Sequence, residues 1–337
     1  MAVQGPIQHG GDLGEARRLF PDAPEPWIDL STGINPIPYP CPAVEASLWQ
    51  RLPDPAALRR LEEDAARAYG AAPDHVAAAP GTQALIELLP RLRAPGRVAV
   101  LGPTYAEHAA AWLRGGHAVA EAHALAATTA AEVAVVVNPN NPDGRTHGRA
   151  DLADLAGALA ARDGLLVADE AFADLEPVES LCEAVPAGAV VLRSFGKTYG
   201  LAGLRLGFAV ARPPLIGRIR AALGPWAVSG PAIAIGRAAL ADAGWRQRAA
   251  LEREQDAQRL DGLLAAAGGR IVGGTRLFRT AAFADATGLF ARLGRAGLFV
   301  RRFEAAPDRL RFGLPGDEAA WRRLEDALGT LHRDAPA

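Results

Sequence analysis

Only one of the 36 lysine and arginine residues in this 337-residue chain is a lysine, Lys197. Arginine stays protonated and is a poor nucleophile, whereas a lysine amine can be desolvated, deprotonated and condensed with a carbonyl. The chain is rich in alanine, glycine, proline and arginine, a bias that replaces lysine wherever positive charge is enough. The lysine that remains therefore marks a position where amine chemistry is needed. Polar residues interrupt three apolar runs around it. Val133–Val137 leads into Asn138-Pro139-Asn140-Asn141-Pro142-Asp143-Gly144, Leu165–Ala168 ends at Asp169, and Val190–Leu192 ends just before Ser194 and Lys197. In an open parallel sheet, ligands bind beyond the carboxyl ends of the strands. If these runs are such strands, Asn141, Asp169 and Lys197 meet in one crevice.

An amine that condenses with a carbonyl is most useful beside an electron sink, and pyridoxal 5′-phosphate is the standard one. Its pyridine nitrogen needs a carboxylate to stay protonated, which Asp169 supplies by raising the ring nitrogen's pKa. Its phenolic oxygen needs a donor, and Asn141 has an amide to give. Its phosphate needs backbone N–H groups at a helix start, offered by Gly81-Thr82-Gln83, together with the Ser194 hydroxyl and the Arg205 guanidinium. The ring needs an aromatic face, and Tyr105, after Gly102-Pro103-Thr104, is the candidate. Taken singly, each feature has a plainer reading: a turn, a helix cap, an ordinary helix start, a core tyrosine, one arginine among many. Their joint placement around the only lysine makes Lys197, Asp169 and Tyr105 the catalytic candidates.

The elements that must position these residues follow from apolar periodicity. Helical patterns cover Leu58–Tyr69, Tyr105–Arg114, Ala150–Arg162 and Pro214–Leu223, alternating with strand-like runs at Val98–Leu101, Val133–Val137, Leu165–Ala168, Val190–Leu192 and Leu206–Ala211. Buried strands separated by helices imply a mostly parallel sheet covered on both faces. Past residue 231, a long helical stretch, Ala232–Ala267, breaks near Gly244. Shorter strands follow at Arg270–Val272, Phe278–Phe283, Leu298–Arg302 and Leu310–Gly313, and then a final helix, Asp317–His332. The expected division is an irregular N-terminal arm with a small-domain segment over 1–40, a large α/β domain over 41–230 and a small α+β domain over 231–337. No internal repeat is present. Half the residues are hydrophobic, 22% are charged and the net charge is −2, which excludes a disordered chain and leaves no basic footprint for nucleic acid or an anionic membrane. The start, Met-Ala-Val-Gln-Gly-Pro, has no signal-peptide pattern, no stretch reaches membrane-spanning length, and two cysteines are too few for a disulfide framework; a cytoplasmic location is expected. The seven histidines show no metal-ligand spacing, and no metal is expected.

The strings Asn138–Gly144, Asp169-Glu170-Ala171-Phe172 and Ser194-Phe195-Gly196-Lys197-Thr198-Tyr199-Gly200-Leu201-Ala202-Gly203-Leu204-Arg205-Leu206-Gly207 resemble those of fold-type I pyridoxal-phosphate enzymes of the class I/II aminotransferase superfamily. That resemblance covers nearly the whole chain and implies the aspartate aminotransferase-like fold, the cofactor and a homodimer. Within the superfamily, His9-Gly10-Gly11-Asp12 and Asp29-Leu30-Ser31-Thr32-Gly33-Ile34-Asn35-Pro36 look like the threonine-phosphate decarboxylases of cobalamin synthesis, which are related to histidinol-phosphate aminotransferases. The activity this implies is loss of CO₂ from O-phospho-L-threonine to give the phosphate ester of 1-amino-2-propanol. It also implies substrate contacts from His9, Gly33, Asn35, Arg301 and Arg311, with Arg311 on the acid group and Arg301 near the phosphate. A phospho-amino acid of this charge suits guanidinium groups. Arg301 and Arg302 are adjacent on a strand, so one of them turns to solvent.

Three positions depart from the pattern. Phe172 stands where many relatives have tyrosine, which should leave the lysine–cofactor linkage more basic. Leu52 stands where the branch usually has a tyrosine reaching the neighbouring subunit's phosphate site, and Gly33 replaces an amide found in some decarboxylases, for which Thr32 or Asn35 could substitute. Two rivals remain: an aminotransferase acting on histidinol phosphate with the same cofactor residues, and a non-catalytic doubly wound binding module in which Lys197 is incidental. Lys197→Ala is expected to abolish both turnover and the visible absorbance of the lysine-bound cofactor; a variant keeping either at the wild-type level refutes the assignment.

Overall fold

Runs of valine, alanine and leucine with no polar interruption are stable as strands only when both faces are covered, and the computed structural model, which describes residues 9–329, buries them that way. Its strands, in chain order, are β1 (Ile28–Leu30), β2 (Val76–Ala79), β3 (Arg97–Leu101), β4 (Ala118–Ala122), β5 (Val133–Val137), β6 (Leu165–Asp169), β7 (Ala189–Ser194), β8 (Gly207–Ala211), β9 (Arg270–Thr275), β10 (Phe278–Ala282), β11 (Leu298–Arg302) and β12 (Arg309–Gly313). They divide between two units. The larger comprises residues 38–141 and 145–248; the smaller takes the described residues up to Ile37, Pro142–Gly144 and those from Ala249 onward.

The larger unit holds a seven-stranded sheet in the order β2-β8-β7-β6-β5-β3-β4, parallel except for β8, which runs antiparallel to both neighbours. Every residue of β2, β5, β6, β7 and β8 is buried. The helix Pro55–Tyr69 starts where the Asp54 carboxylate accepts the N–H groups of Ala56 and Ala57, at 2.9 and 3.2 Å, with proline at the first helical position. It ends at Gly70, whose φ of 68° lies in the left-handed region. Its apolar face, including Leu61, Ala65 and Tyr69, shares a core with Ile233, Ala239 and Leu240 of the helix Gly230–Ala241.

That packing moves a boundary. The expected change of domain at 230/231 falls instead at 248/249, because the apolar residues of Gly230–Ala241 are buried against Pro55–Tyr69. The N-terminal boundary falls at 37/38 in place of 40/41. The helical stretch after 231 breaks at Asp242, two residues before Gly244. Asp242 accepts the N–H of Trp245 at 2.8 Å and so caps the next helix, Ala243–Ala266.

The smaller unit carries a five-stranded sheet in the order β1-β11-β12-β10-β9, with β1 parallel to β11 and the other pairs antiparallel. The expectation of an irregular arm over 1–40 is corrected here. Residues 1–8 lie outside the described residues, but Leu13–Leu19 forms a helix capped by Asp12, and β1 joins the sheet, with Ala16, Trp27 and Leu30 in its core. Pro142–Gly144 belongs to this unit because Thr280 donates its hydroxyl to the Pro142 carbonyl and Gly144 lies against Gly274. A Cβ on Gly144 would fall 1.9 Å from the Gly274 carbonyl oxygen, and its φ of 71° suits glycine alone. The final helix spans Glu318–Gly329, and the last three residues of the expected Asp317–His332 lie outside the described residues. Leu61 is fully buried between two helices. Leu61→Ala should therefore lower the unfolding free energy of the larger unit by about 2–5 kcal/mol in a denaturant titration.

Candidate active site

Strands β5, β6 and β7 are adjacent and parallel, with Val137 opposite Asp169 and Asp169 opposite Leu192. Their carboxyl ends open on one cavity of the larger unit, lined by Asn141, Asp169, Ser194, Lys197, Gly81, Thr82, Gln83, Tyr105 and Arg205 together with Phe172 and several small residues. All nine residues singled out as cofactor contacts thus face a single space. Lys197 sits on the four-residue helix Phe195–Thr198 that continues directly from β7, with its Nζ 5.7 Å from the centroid of the Phe172 ring.

Asp169 is only 4% exposed. A carboxylate taken that far out of water needs donors, and it has two. Its Oδ1 accepts the N–H of Ala171 at 3.0 Å, and its Oδ2 lies 2.8 Å from Nε2 of the buried His108. His108 was not among the sequence candidates. Its only signal was position, since it lies three residues after Tyr105 and therefore on the same face of the helix Ala106–Arg114.

Three asparagines crowd the loop after β5, and their partners tell them apart. Asn138 is tied to the backbone of His147, accepting at 2.7 Å and donating at 3.2 Å. Asn140 donates to the Pro103 carbonyl at 3.0 Å and accepts from Thr104 at 2.6 Å. Those two hold the loops, and Asn141 is the one that lines the cavity. Tyr105 donates its hydroxyl to Gln83 Oε1 at 3.3 Å, while the Gln83 amide reaches Glu107 at 3.3 Å and Glu87 at 3.4 Å. The tyrosine ring is therefore anchored at its far end.

Another part of the cavity lining carries groups that suit an anion. Gly81 precedes the helix Thr82–Leu88 with a φ of 85°, and a Cβ there would lie 2.6 Å from the Arg205 guanidinium. The left-handed backbone favours glycine here, and the arginine is packed close against it. Arg205 itself adopts a left-handed φ of 52° and donates to the Ala202 carbonyl at 3.1 Å. A guanidinium, two hydroxyls and the backbone N–H groups of a helix start share the cavity with a buried carboxylate and an amine, the set of groups that pyridoxal 5′-phosphate needs.

The five expected substrate contacts lie in the smaller unit. Arg301 and Arg311 are directly opposite in register on β11 and β12, so their side chains share one face. Arg311 is buried and donates to the Ser31 carbonyl at 2.7 Å. Arg302 turns outward, more exposed than Arg301, and lies 3.7 Å from Glu15. His9, Ser31, Arg301 and Arg302 line one small pocket. Asn35 is buried, its Oδ1 accepting from the Ile37 N–H at 3.0 Å and from Arg253 at 3.2 Å, and Gly33 is buried in the same loop.

This fold and donor set are those of a fold-type I pyridoxal-phosphate enzyme. The model for aminotransferase class I and II matches residues 25–327, and the chain belongs to that family, whose cofactor is pyridoxal 5′-phosphate. A threonine-phosphate decarboxylase from Pseudomonas aeruginosa is 44% identical over 327 residues, spanning 96% of this chain and 97% of that protein. Another from Sinorhizobium sp is 44% identical over 339 residues, spanning 98% and 99%. Among solved structures, the histidinol-phosphate aminotransferase from Clostridium acetobutylicum superposes with a TM-score of 0.78 at 18% identity, covering 90% of this chain and 99% of that one, a likeness of fold.

Hydrogen bonds to a charged partner contribute about 1.5–3 kcal/mol each. Arg205→Ala should therefore weaken pyridoxal-phosphate binding to the apoenzyme by about 10–100-fold in an absorbance titration; unchanged affinity would remove Arg205 from the phosphate end.

Proposed function

We propose that this chain is a pyridoxal-phosphate-dependent lyase that decarboxylates O-phospho-L-threonine, releasing CO₂ and (R)-1-amino-2-propanol O-2-phosphate for cobalamin synthesis. The observation that carries the reading is the cavity in which the only lysine lies among a buried carboxylate, an amide and a guanidinium, in a chain 44% identical to threonine-phosphate decarboxylases over nearly its whole length. When bound, pyridoxal phosphate supplies a protonated ring that accepts the electron pair released at the substrate's Cα. Asp169 holds the ring nitrogen's proton, and its own position is kept by His108. Asn141 donates to the phenolic oxygen, and Tyr105 covers one ring face. Thr82, Ser194, Arg205 and the backbone N–H groups from Gly81 to Gln83 hold the phosphate.

Lys197 would anchor the cofactor and would also serve as the base or acid that moves a proton at the substrate's Cα. We assign Arg311 to the substrate carboxylate, and Arg301 with His9 to its phosphate; Asn35 and the Gly33 backbone complete that loop. With Arg311 holding the carboxylate, the bond between Cα and the carboxyl carbon would be the one to break, so that CO₂ would leave and a proton from Lys197 or water would take its place. Phe172 has no hydroxyl to share with the phenolic oxygen, which leaves Asn141 as the chief donor there.

The enzyme is further proposed to act as a cytoplasmic homodimer. Trp49, Leu52 and Trp226 are 70%, 68% and 53% exposed, and the short helix Ser47–Gln50 lies against the start of Gly230–Ala241. Such exposed apolar side chains suit a second copy. Among the described residues no helix is long and apolar enough to cross a membrane. The deciding experiment supplies one preparation with phosphothreonine alone and with histidinol phosphate plus 2-oxoglutarate. Release of CO₂ from the first is the expected outcome; keto-acid-dependent amino transfer from the second, without CO₂, overturns the reading in favour of an aminotransferase. A protein with no absorbance response to pyridoxal phosphate overturns both.

A further inference from the structure

Behind the cavity lies a buried ionic cluster with no assigned role. Arg193 Nη1 lies 2.6 Å from Glu170 Oε2, and Arg193 Nη2 donates to the Asp174 carboxylate. Thr198 donates its hydroxyl to Asp174 Oδ2 at 2.9 Å, Ser180 donates to Glu170 Oε2 at 2.5 Å, and the Leu181 N–H reaches Glu170 Oε1 at 3.0 Å. The Arg193, Glu170 and Asp174 side chains are 6%, 1% and 3% exposed. Burial by itself would lower the Arg193 pKa, but Asp174, Cys182 and Glu170 outweigh it and hold the guanidinium well above its ordinary value.

Each member of the cluster is next, or nearly next, in sequence to a residue that faces the cavity: Glu170 to Asp169, Arg193 to Ser194, Thr198 to Lys197, and Asp174 two residues beyond Phe172. Successive side chains at the ends of β6 and β7 point to opposite sides, which sets Glu170 and Arg193 behind Asp169 and Ser194, and Asp174 and Thr198 join them there through hydrogen bonds. Isolated burial of two carboxylates with one guanidinium is poor design for stability alone, since apolar packing serves that better. Its value lies in geometry. The helix Phe195–Thr198 is a single turn, too short to hold its own orientation, and Thr198 is the link between that turn and the cluster.

We propose that Thr198, through Asp174 and Arg193, is the positioning residue that aims the Lys197 amine at the cofactor. The inference rests on reading the cavity as a pyridoxal-phosphate site. Removing a charge would leave its partners buried and uncompensated, so the informative variant is the near-isosteric Thr198→Val, with Thr198→Ser as rescue. Because the chain has one lysine, biosynthetic labelling with lysine carrying ¹³C at Cε gives the apoenzyme a single side-chain NMR signal that reports Lys197 directly.

For Thr198→Val the expected result is a melting temperature near that of the wild type and retained cofactor colour. The kcat for the wild type's own reaction should fall about tenfold at nearly constant KM, as for a small misplacement of a reacting group. The apoenzyme's lysine signal should broaden or split and its pH midpoint should shift, with Thr198→Ser restoring both. A valine variant with wild-type kcat and an unchanged lysine signal overturns the proposal, as does a loss of activity that merely tracks a loss of melting temperature. A wild-type protein that takes up no pyridoxal phosphate sinks the underlying reading instead, and is told apart by being seen before any substitution is made.

Discussion

A carboxylate buried at the end of a parallel strand is tolerable only if fixed donors replace the water it has lost, and much of the larger unit's layout around its cavity follows from meeting that condition for Asp169. One donor is the N–H of Ala171, which turns the chain out of β6; the other is His108, carried on the helix that also brings Tyr105. The two contacts lock the strand end to the helix beyond β3, so the carboxylate and the ring platform are placed by a single constraint. Because β6 and β7 are paired in register, the short helix that carries Lys197 starts one strand away from Asp169.

The same economy appears where the strands leave the sheet. Front and back of each segment are used for different purposes, with cavity-facing residues on one side and an ionic cluster on the other. In the smaller unit the face of the sheet opposite its apolar core places two guanidinium groups directly across from one another at Arg301 and Arg311. Like charges so placed repel, and in this fold one of them is already committed to the Ser31 carbonyl. An anion on that face would relieve the repulsion, which gives the pairing a physical sense for the substrate proposed above, with its carboxylate and phosphate.

Much of this was legible in the chain. Buried strands show as apolar runs, so β5 has the expected limits and β3, β6, β7 and β8 differ only by a residue or two, or by a few at the ends of β7; β11, whose apolar run ends in two arginines, also has the expected limits. The solitary lysine and the polar residues that end those runs pointed to one crevice. Less was legible where the signal is weak or long-range. β4 is an edge strand, half of it exposed, with an alternating composition that resembles loop. β1 is only three residues long and exists because β11 pairs with it. The helix Gly230–Ala241 looks from composition like part of the later domain and is claimed by the earlier one through packing. Nothing local distinguishes His108 from a histidine in any amphipathic helix.

Residue chemistry and short-range pattern are local properties, and they are what the sequence by itself determined: a single amine nucleophile, a strand-end carboxylate, a glycine-led anion site, alternating strands and helices, and membership of a pyridoxal-phosphate family. Tertiary structure alone decided what ties down Asn138 and Asn140, that His108 holds Asp169, how Arg301 and Arg311 come to share a face, and where one unit gives way to the other. Those depend on partners that range from nine residues apart, for Asn138 and His147, to far along the chain, brought together only when the apolar runs are buried, and a linear pattern carries no record of such pairings.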